Sequence, residues 1–258
     1  QDEKFKVYIN DCINYGLLAY EREFGRKNYG MPFLKLYSRY TRDDVDVYYY
    51  NFIKNKCSFI LGEKITDNVT FFGGILDLMD NIKRINMAII DFINCIDFEG
   101  TATLYQSNFE DIFDDIITDD GNGSINIYFI IGIGNVENIL NETEFNKFNN
   151  IMMQINNFSS SYFVFIDDVS RFNNIRSNDW YDLLDLTSVI WSGSGIEKQN
   201  IFKINDLNND DRNVDFSDVA YVVDNGEYQV LKVIGDGEEM SNSDDDNDDN
   251  FLGGFLNG

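Results

Sequence analysis

A layered α/β fold is what this chain predicts: a mainly parallel sheet with flanking helices and antiparallel additions at its edges. Three observations carry that expectation. Five short, continuous apolar runs have the composition of strands buried on both faces: 56–62 (KCSFILG), 86–92 (NMAIIDF), 125–134 (INIYFIIGIG), 161–168 (SYFVFIDD) and 188–193 (SVIWSG). Segments of helical period lie between most of them, so the connections are crossovers and the strands run in parallel. Turn signals on both flanks mark two hairpins outside that alternation.

In chain order, residues 31–41 and 45–52 read as two strands joined by the polar turn Arg42, Asp43 and Asp44, an antiparallel addition to the sheet. After the first buried run, Val69, Phe72, Leu76, Met79 and Ile82 line one helical face; after the second, Phe109, Ile112, Phe113, Ile116 and Ile117 do the same. After the third come Phe145, Phe148, Met152, Ile155 and Phe158, and after the fourth Trp180, Leu183 and Leu184. Residues 220–235 place Asn225 and Gly226 between alternating apolar positions, the strongest short-range hairpin signal there is. Residues 236–249 hold eight acids and no base, so self-repulsion and lack of apolar surface predict disorder. The closing FLGGFLNG reads as a frayed end. The expected division is an N-terminal extension at 1–30, one α/β domain at 31–235 and an acidic tail at 236–258.

Composition closes off much chemistry. The 20 basic residues stand against 45 acidic ones, a net charge of −25, which repels a phosphate backbone; nucleic acid is not an expected partner. No histidine occurs, which excludes Ser/His/Asp and Cys/His catalysis and His-ligated metals. Cys12, Cys57 and Cys95 lack CxxC spacing and fit buried thiols in a reducing compartment. There is no long apolar span and no signal peptide, and the start at Gln1 fits an excised domain.

The fourth apolar run ends in Asp167 and Asp168. Working groups of α/β proteins sit where such strands end, and a nucleotide hydrolase would use the first acid for magnesium and the second for water. The matching phosphate loop would be residues 62–70, GEKITDNVT. A working loop reads G-x-x-x-x-G-K-[S/T], because backbone N–H groups cradle the phosphates, the Lys neutralises them and the hydroxyl binds magnesium. Gly62 fits the first glycine, but Asp67 stands at the second, Asn68 at the lysine and Val69 at the hydroxyl; Thr70 is one residue late. Lys64 and Thr66 lie on the part of the loop that normally wraps the phosphates. The candidate nucleotide residues are therefore Gly62, Lys64, Thr66, Asn68 and Thr70, in a degenerate loop, with Asp167 and Asp168 as candidate catalytic acids and no metal site assigned. Gly132, Ile133, Gly134 and Asn135 lack the third glycine of a dinucleotide loop, as Glu137 occupies its place, and read as a tight turn with Asn135 capping the next helix. DLNNDDRN and SDDDNDDN lack the glycine and glutamate of a calcium loop and read as solvated acid.

With that loop, the 163–168 strand and VIWSGSGIEKQNIFKINDL in view, residues 56–233 resemble the last ATPase module of type VII secretion coupling proteins, the EssC type of the FtsK/SpoIIIE group. The most specific part is Ile190, Trp191, Gly193, Gly195 and Gln199, similar to the family's I-W-x-G-x-G-x-x-x-Q before a closing hairpin that here carries Tyr221, Val222, Val223 and Lys232. The resemblance implies a RecA-like P-loop domain on the cytoplasmic face of the cell membrane, part of a membrane-anchored Gram-positive motor, with no direct membrane contact of its own. It implies neighbouring ATPase modules of the same chain and secretion substrates, WXG100-type and larger effectors, as partners. The terminal module of such motors is often hydrolytically degenerate, which fits Asn68 and Val69; ATP with magnesium is then a weak expectation and no cofactor is certain. Substrate recognition or regulation of export is the first reading. A divergent ATPase using Lys64, Thr66 or Thr70 with Asp167 and Asp168 is the second, and a free-standing acidic adaptor with a flavodoxin-like sheet the third.

Overall fold

Every one of the five apolar runs is a strand, and their alternation of faces builds the core. The computed structural model describes residues 33–38, 47–68, 85–118 apart from 99 and 101, 125–209, 212 and 219–233. The strands are β1 (Phe33–Ser38), β2 (Val47–Asn51), β3 (Cys57–Gly62), β4 (Ile85–Asp91), β5 (Thr103–Tyr105), β6 (Ile125–Ile131), β7 (Ser161–Asp168), β8 (Ser188–Ser192), β9 (Val219–Asp224) and β10 (Glu227–Val233). They form one sheet in the order β2-β1-β10-β9-β8-β3-β7-β6-β4-β5. From β8 to β5 all neighbours are parallel, and from β8 to β2 all are antiparallel. In β3 all six residues are buried: Phe59 and Leu61 pack on one face, Ile60 on the other, as the period of two requires.

The first face carries helices α1 (Glu110–Ile117) and α3 (Glu142–Met153), with two short ones, α2 (Val136–Ile139) and α4 (Val169–Phe172), at the carboxyl ends of the strands. Their apolar stripes bury Phe109, Ile112, Phe113, Phe148 and Met152 as the periodicity predicts. Rings interlock there: Phe92–Phe109 centroids are 5.1 Å apart, Phe92–Phe148 5.5 Å and Phe148–Trp180 6.2 Å. Such pairs add about 0.5–1.5 kcal/mol each beyond the area they bury. α3 opens with a capping box between Asn141 and Glu144, and Glu144 Oε1 also accepts the Phe109 N–H at 3.0 Å, which fixes the two helix starts to each other.

The structure corrects several expectations. Ile117, at the last turn of α1, is 37% exposed rather than on the buried stripe. Trp180 and Leu184 are buried, yet Asn173–Ser177 and Tyr181–Leu183 form two 3₁₀ turns instead of a helix. Asn and Asp side chains there compete for the backbone, as when Asn178 Nδ2 donates to the Ile175 carbonyl at 3.1 Å. β6 stops at Ile131 because Gly132 turns into the left-handed region at φ 75°. Cys57 is buried in β3, whereas Cys95 is exposed, in the loop after β4. Strand β5 was not anticipated. The hairpin at Asn225 (φ 51°) and Gly226 (φ 87°) is as expected: both turn residues have positive φ, the type I′ signature. The extension 1–30, the turn Arg42–Asp44 region, Cys12, the helical face at 69–82 with Thr70, and the tail 236–258 lie outside the described residues. Among the described residues no helix is long and apolar enough to cross a membrane.

Candidate functional site

Three strand ends meet where the chain changes the direction of its crossovers. From β3 the chain passes to β4 on one side of the sheet; from β7 it steps across β3 to β8 on the other. Open α/β sheets bind ligands at such a switch point, outside the carboxyl ends of the strands. Here the register sets Leu61 beside Asp167 and Trp191, and Gly62 beside Asp168 and Ser192.

The candidate phosphate loop starts there and is short. Only Glu63 and Lys64 separate Gly62 from a helical turn at 65–68. Asn68 lies fully buried over Gly62: its Nδ2 donates to the Asp167 carbonyl at 2.8 Å, and its Oδ1 accepts from the Ser192 hydroxyl. A β-carbon on Gly62 would collide with the Asn68 carboxamide and stand 2.7 Å from the Ser192 carbonyl, so the glycine is needed for this side chain to fit. The side chain that replaces the expected lysine thus fills the space over the strand end. The rim is acidic. Glu63 accepts from the Ser194 hydroxyl at 3.4 Å and stands 3.9 Å from Lys198, and Asp67 turns its carboxylate toward Gly193. Lys64 and Thr66 are exposed, and the Lys64 carbonyl accepts the Asn68 N–H at 3.3 Å.

Asp167 and Asp168 also end β7 as expected, but protein groups hold them. Asp167 is fully buried; its Oδ2 accepts the Gly134 N–H at 2.9 Å, its Oδ1 accepts the Asp168 N–H at 2.9 Å, and Arg171 Nη1 stands 3.4 Å from Oδ1. Burial pushes this carboxyl up to about 7, against the opposing pull of the Gly134 N–H and Arg171. Asp168 caps α4 by accepting the Arg171 N–H at 2.8 Å. Gly134 is required because a β-carbon would overlap the backbone carbonyl of Arg171. The tight turn at 132–135 is therefore a docking point for Asp167. Asn135 makes no capping bond to α2, contrary to expectation; its Nδ2 donates to the Phe92 carbonyl at 3.2 Å and its Oδ1 accepts from Asn138.

One feature lies beyond the sequence reading. Asp91, buried at the end of β4, accepts backbone N–H groups from Ile93, Cys95 and Ile96 at 3.1, 2.8 and 3.0 Å and the Gln106 amide at 2.9 Å. It folds the following loop back on the strand end; an Asp just past an apolar run is the signal, one that an Asp-rich chain obscures. The glycine motif after β8, singled out in the sequence, forms a packed turn. Trp191 is buried and donates from Nε1 to the Ser194 carbonyl at 3.0 Å; Gly193 and Gly195 take φ 75° and 87°. Gln199 closes the turn, accepting from Ile201 and Phe202 at 2.8 and 3.0 Å and donating to the Phe202 carbonyl at 2.9 Å. A β-carbon on Gly195 would lie 2.7 Å from the Glu63 carboxyl, so this loop packs on the candidate phosphate loop.

No family model and no curated protein matches the sequence. Solved structures do match the fold. The cytoplasmic domain of EssC superposes with a TM-score of 0.60 at 9% identity, over 84% of this chain and 46% of that one. ATPases 2 and 3 of EssC from Geobacillus thermodenitrificans give 0.60 at 10% identity, over 84% and 44%. ATPases 2 and 3 of Thermomonospora curvata EccC, in complex with a signal sequence peptide, give 0.53 at 8% identity, over 81% and 41%. The chain spans less than half the length of these structures. The resemblance in fold is plain: a RecA-like sheet of the kind found in these secretion ATPase domains, mostly parallel with an antiparallel edge.

Proposed function

We propose that this chain is a non-hydrolysing ATPase-like module of a type VII secretion motor, acting by protein contact in substrate recognition or regulation of export. One observation carries the reading: Asn68 is buried where a phosphate-binding lysine would stand and is bonded to Asp167 and Ser192. Phosphoryl transfer rests on cations placed around the phosphates. Here a neutral amide fills the space, two carboxylates line the rim, and both oxygens of Asp167 accept from protein donors. The matched structures contain two such ATPase domains in one chain, and one of them holds a signal sequence peptide. By extension, the partners of this chain are adjoining ATPase modules and secreted proteins of the WXG100 type or larger effectors, met at the cytoplasmic face of the membrane through a tandem, membrane-anchored protein.

The test is isothermal titration of the chain with ATP and magnesium, beside an export assay in cells lacking residues 31–258. The expected outcome is no measurable nucleotide binding together with loss or misregulation of export. Tight ATP binding with turnover by the isolated chain would overturn the proposal and favour the divergent ATPase.

A further inference from the structure

The hairpin between β9 and β10 turns on Asn225 and Gly226, the one Asn-Gly pair among the described residues. An asparagine followed by glycine carries a reaction within its own backbone. The glycine nitrogen can attack the asparagine Cγ, and the missing β-carbon leaves that approach uncrowded. A new C–N bond closes a succinimide ring, the Cγ–Nδ2 bond breaks, and ammonia leaves with the proton of the glycine N–H. Water then opens the ring at either carbonyl, giving aspartate or isoaspartate.

In the folded chain this turn is set against that reaction. The φ angles of 51° at Asn225 and 87° at Gly226 are the left-handed pair of a type I′ turn. Such a turn places the Asn225 β-carbon nearly opposite the Gly226 nitrogen about the Cα–C bond, whereas ring closure needs the two eclipsed. The turn is also pinned from outside. The Asn225 N–H donates to the Thr187 carbonyl at 2.8 Å, and the Asn205 N–H donates to the Gly226 carbonyl at 2.7 Å. The Asn205 side chain lies over Gly226, where a β-carbon would meet its Nδ2 at 3.0 Å, and that Nδ2 donates to Glu227 at 3.1 Å. Asn225 itself is exposed, with its Nδ2 donating to Asp224 Oδ1 at 3.0 Å, while Gly226 is buried. The leaving group thus faces water, but the nucleophile is covered and misaligned.

We propose that Asn225 is a site of self-deamidation, silent while the β9–β10 turn is docked on Thr187 and Asn205 and reactive when the turn lifts away. Local opening of the hairpin sets the rate. Isoaspartate then makes the opening one-way: it adds an atom to the backbone of a two-residue turn, so the Gly226 carbonyl no longer returns to the Asn205 N–H. This site is separate from the strand ends around Asn68 and does not depend on what binds there.

The experiment incubates the 258-residue chain at neutral pH with and without concentrated urea. Peptide mass spectrometry follows the gain of one mass unit at position 225 and the isoaspartate fraction. Product should form at least tenfold more slowly in the native chain than in urea. Gly226→Val should suppress it at least tenfold in urea, where folding plays no part. Asn205→Ala, which uncovers Gly226 and cuts the tie to Glu227, should raise the native rate at least threefold. In aged native samples, the Asn205 amide should exchange hydrogen faster in the isoaspartate fraction than in the unmodified one. Absence of product in urea would overturn the site. Equal rates with and without urea, or an unchanged native rate for Asn205→Ala, would overturn its control by docking, and equal exchange in the two fractions would overturn the one-way step.

Discussion

Replacing Asp167 with Asn removes a charge from a fully buried carboxyl at the strand ends while keeping its shape. The folded protein holds this group at about 7 against an ordinary value of 3.8, with burial as the chief cause. Each tenfold change in ionisation is 1.36 kcal/mol, so ionising Asp167 in the folded state costs about 4 kcal/mol more than in the unfolded chain. The sign follows from the direction: an acid raised on folding contributes stability that is complete below about pH 4 and is lost as pH rises through about 7. Urea unfolding of both proteins at steps between pH 4 and pH 8 isolates the effect, because every other carboxylate is common to the pair. The stability of the parent relative to Asp167→Asn should fall by about 4 kcal/mol across that range. A constant difference would refute the reasoning. A difference that grows with pH would do so more sharply, since it would mean that the Gly134 N–H, the Asp168 N–H and Arg171 outweigh desolvation.

Two further outcomes concern the filled loop. Asn68→Ala leaves the Ser192 hydroxyl and the Asp167 carbonyl without their buried partner; a loss of about 1–3 kcal/mol is expected in thermal unfolding, with no gain of ATP binding, and an unchanged melting temperature would contradict it. Gly195→Ala forces a side chain into φ 87° and against Glu63, costing about 1–2 kcal/mol. Adding Glu63→Ala should restore only the contact part, so full recovery in the double variant would show that the backbone angle is not the reason.

The parallel core was readable because burial on both faces leaves unbroken apolar strings, as in FILG of β3 and FVFI of β7, and the closing hairpin because Asn225 and Gly226 tolerate the positive φ its turn requires. β5 was not readable: three residues make no period, and its pairing depends on β4, which is remote from any local signal. The region after β7 misled because Trp180, Leu183 and Leu184 match helical spacing, while the intervening Asn and Asp side chains favour turns. At the site, the absence of a lysine at position 68 was visible in the letters. That Asn68 would turn inward and bond across to β7 and β8 was not, since its partners lie 99 and 124 residues away in sequence. Asp167 was recognised by its place at a strand end, but its engagement with Gly134 came from a turn that only the assembled sheet brings near.

The position of β3 between β7 and β8 has a consequence for how the protein is made. The strand emerges from the ribosome with every side chain destined for burial, but its first neighbour is translated about a hundred residues later. At roughly 5–20 residues per second, CSFILG waits on the order of ten seconds without a native partner. Over that interval it is the segment of the nascent chain most exposed to misassociation, and a chaperone that shields hydrophobic strands would find its substrate there.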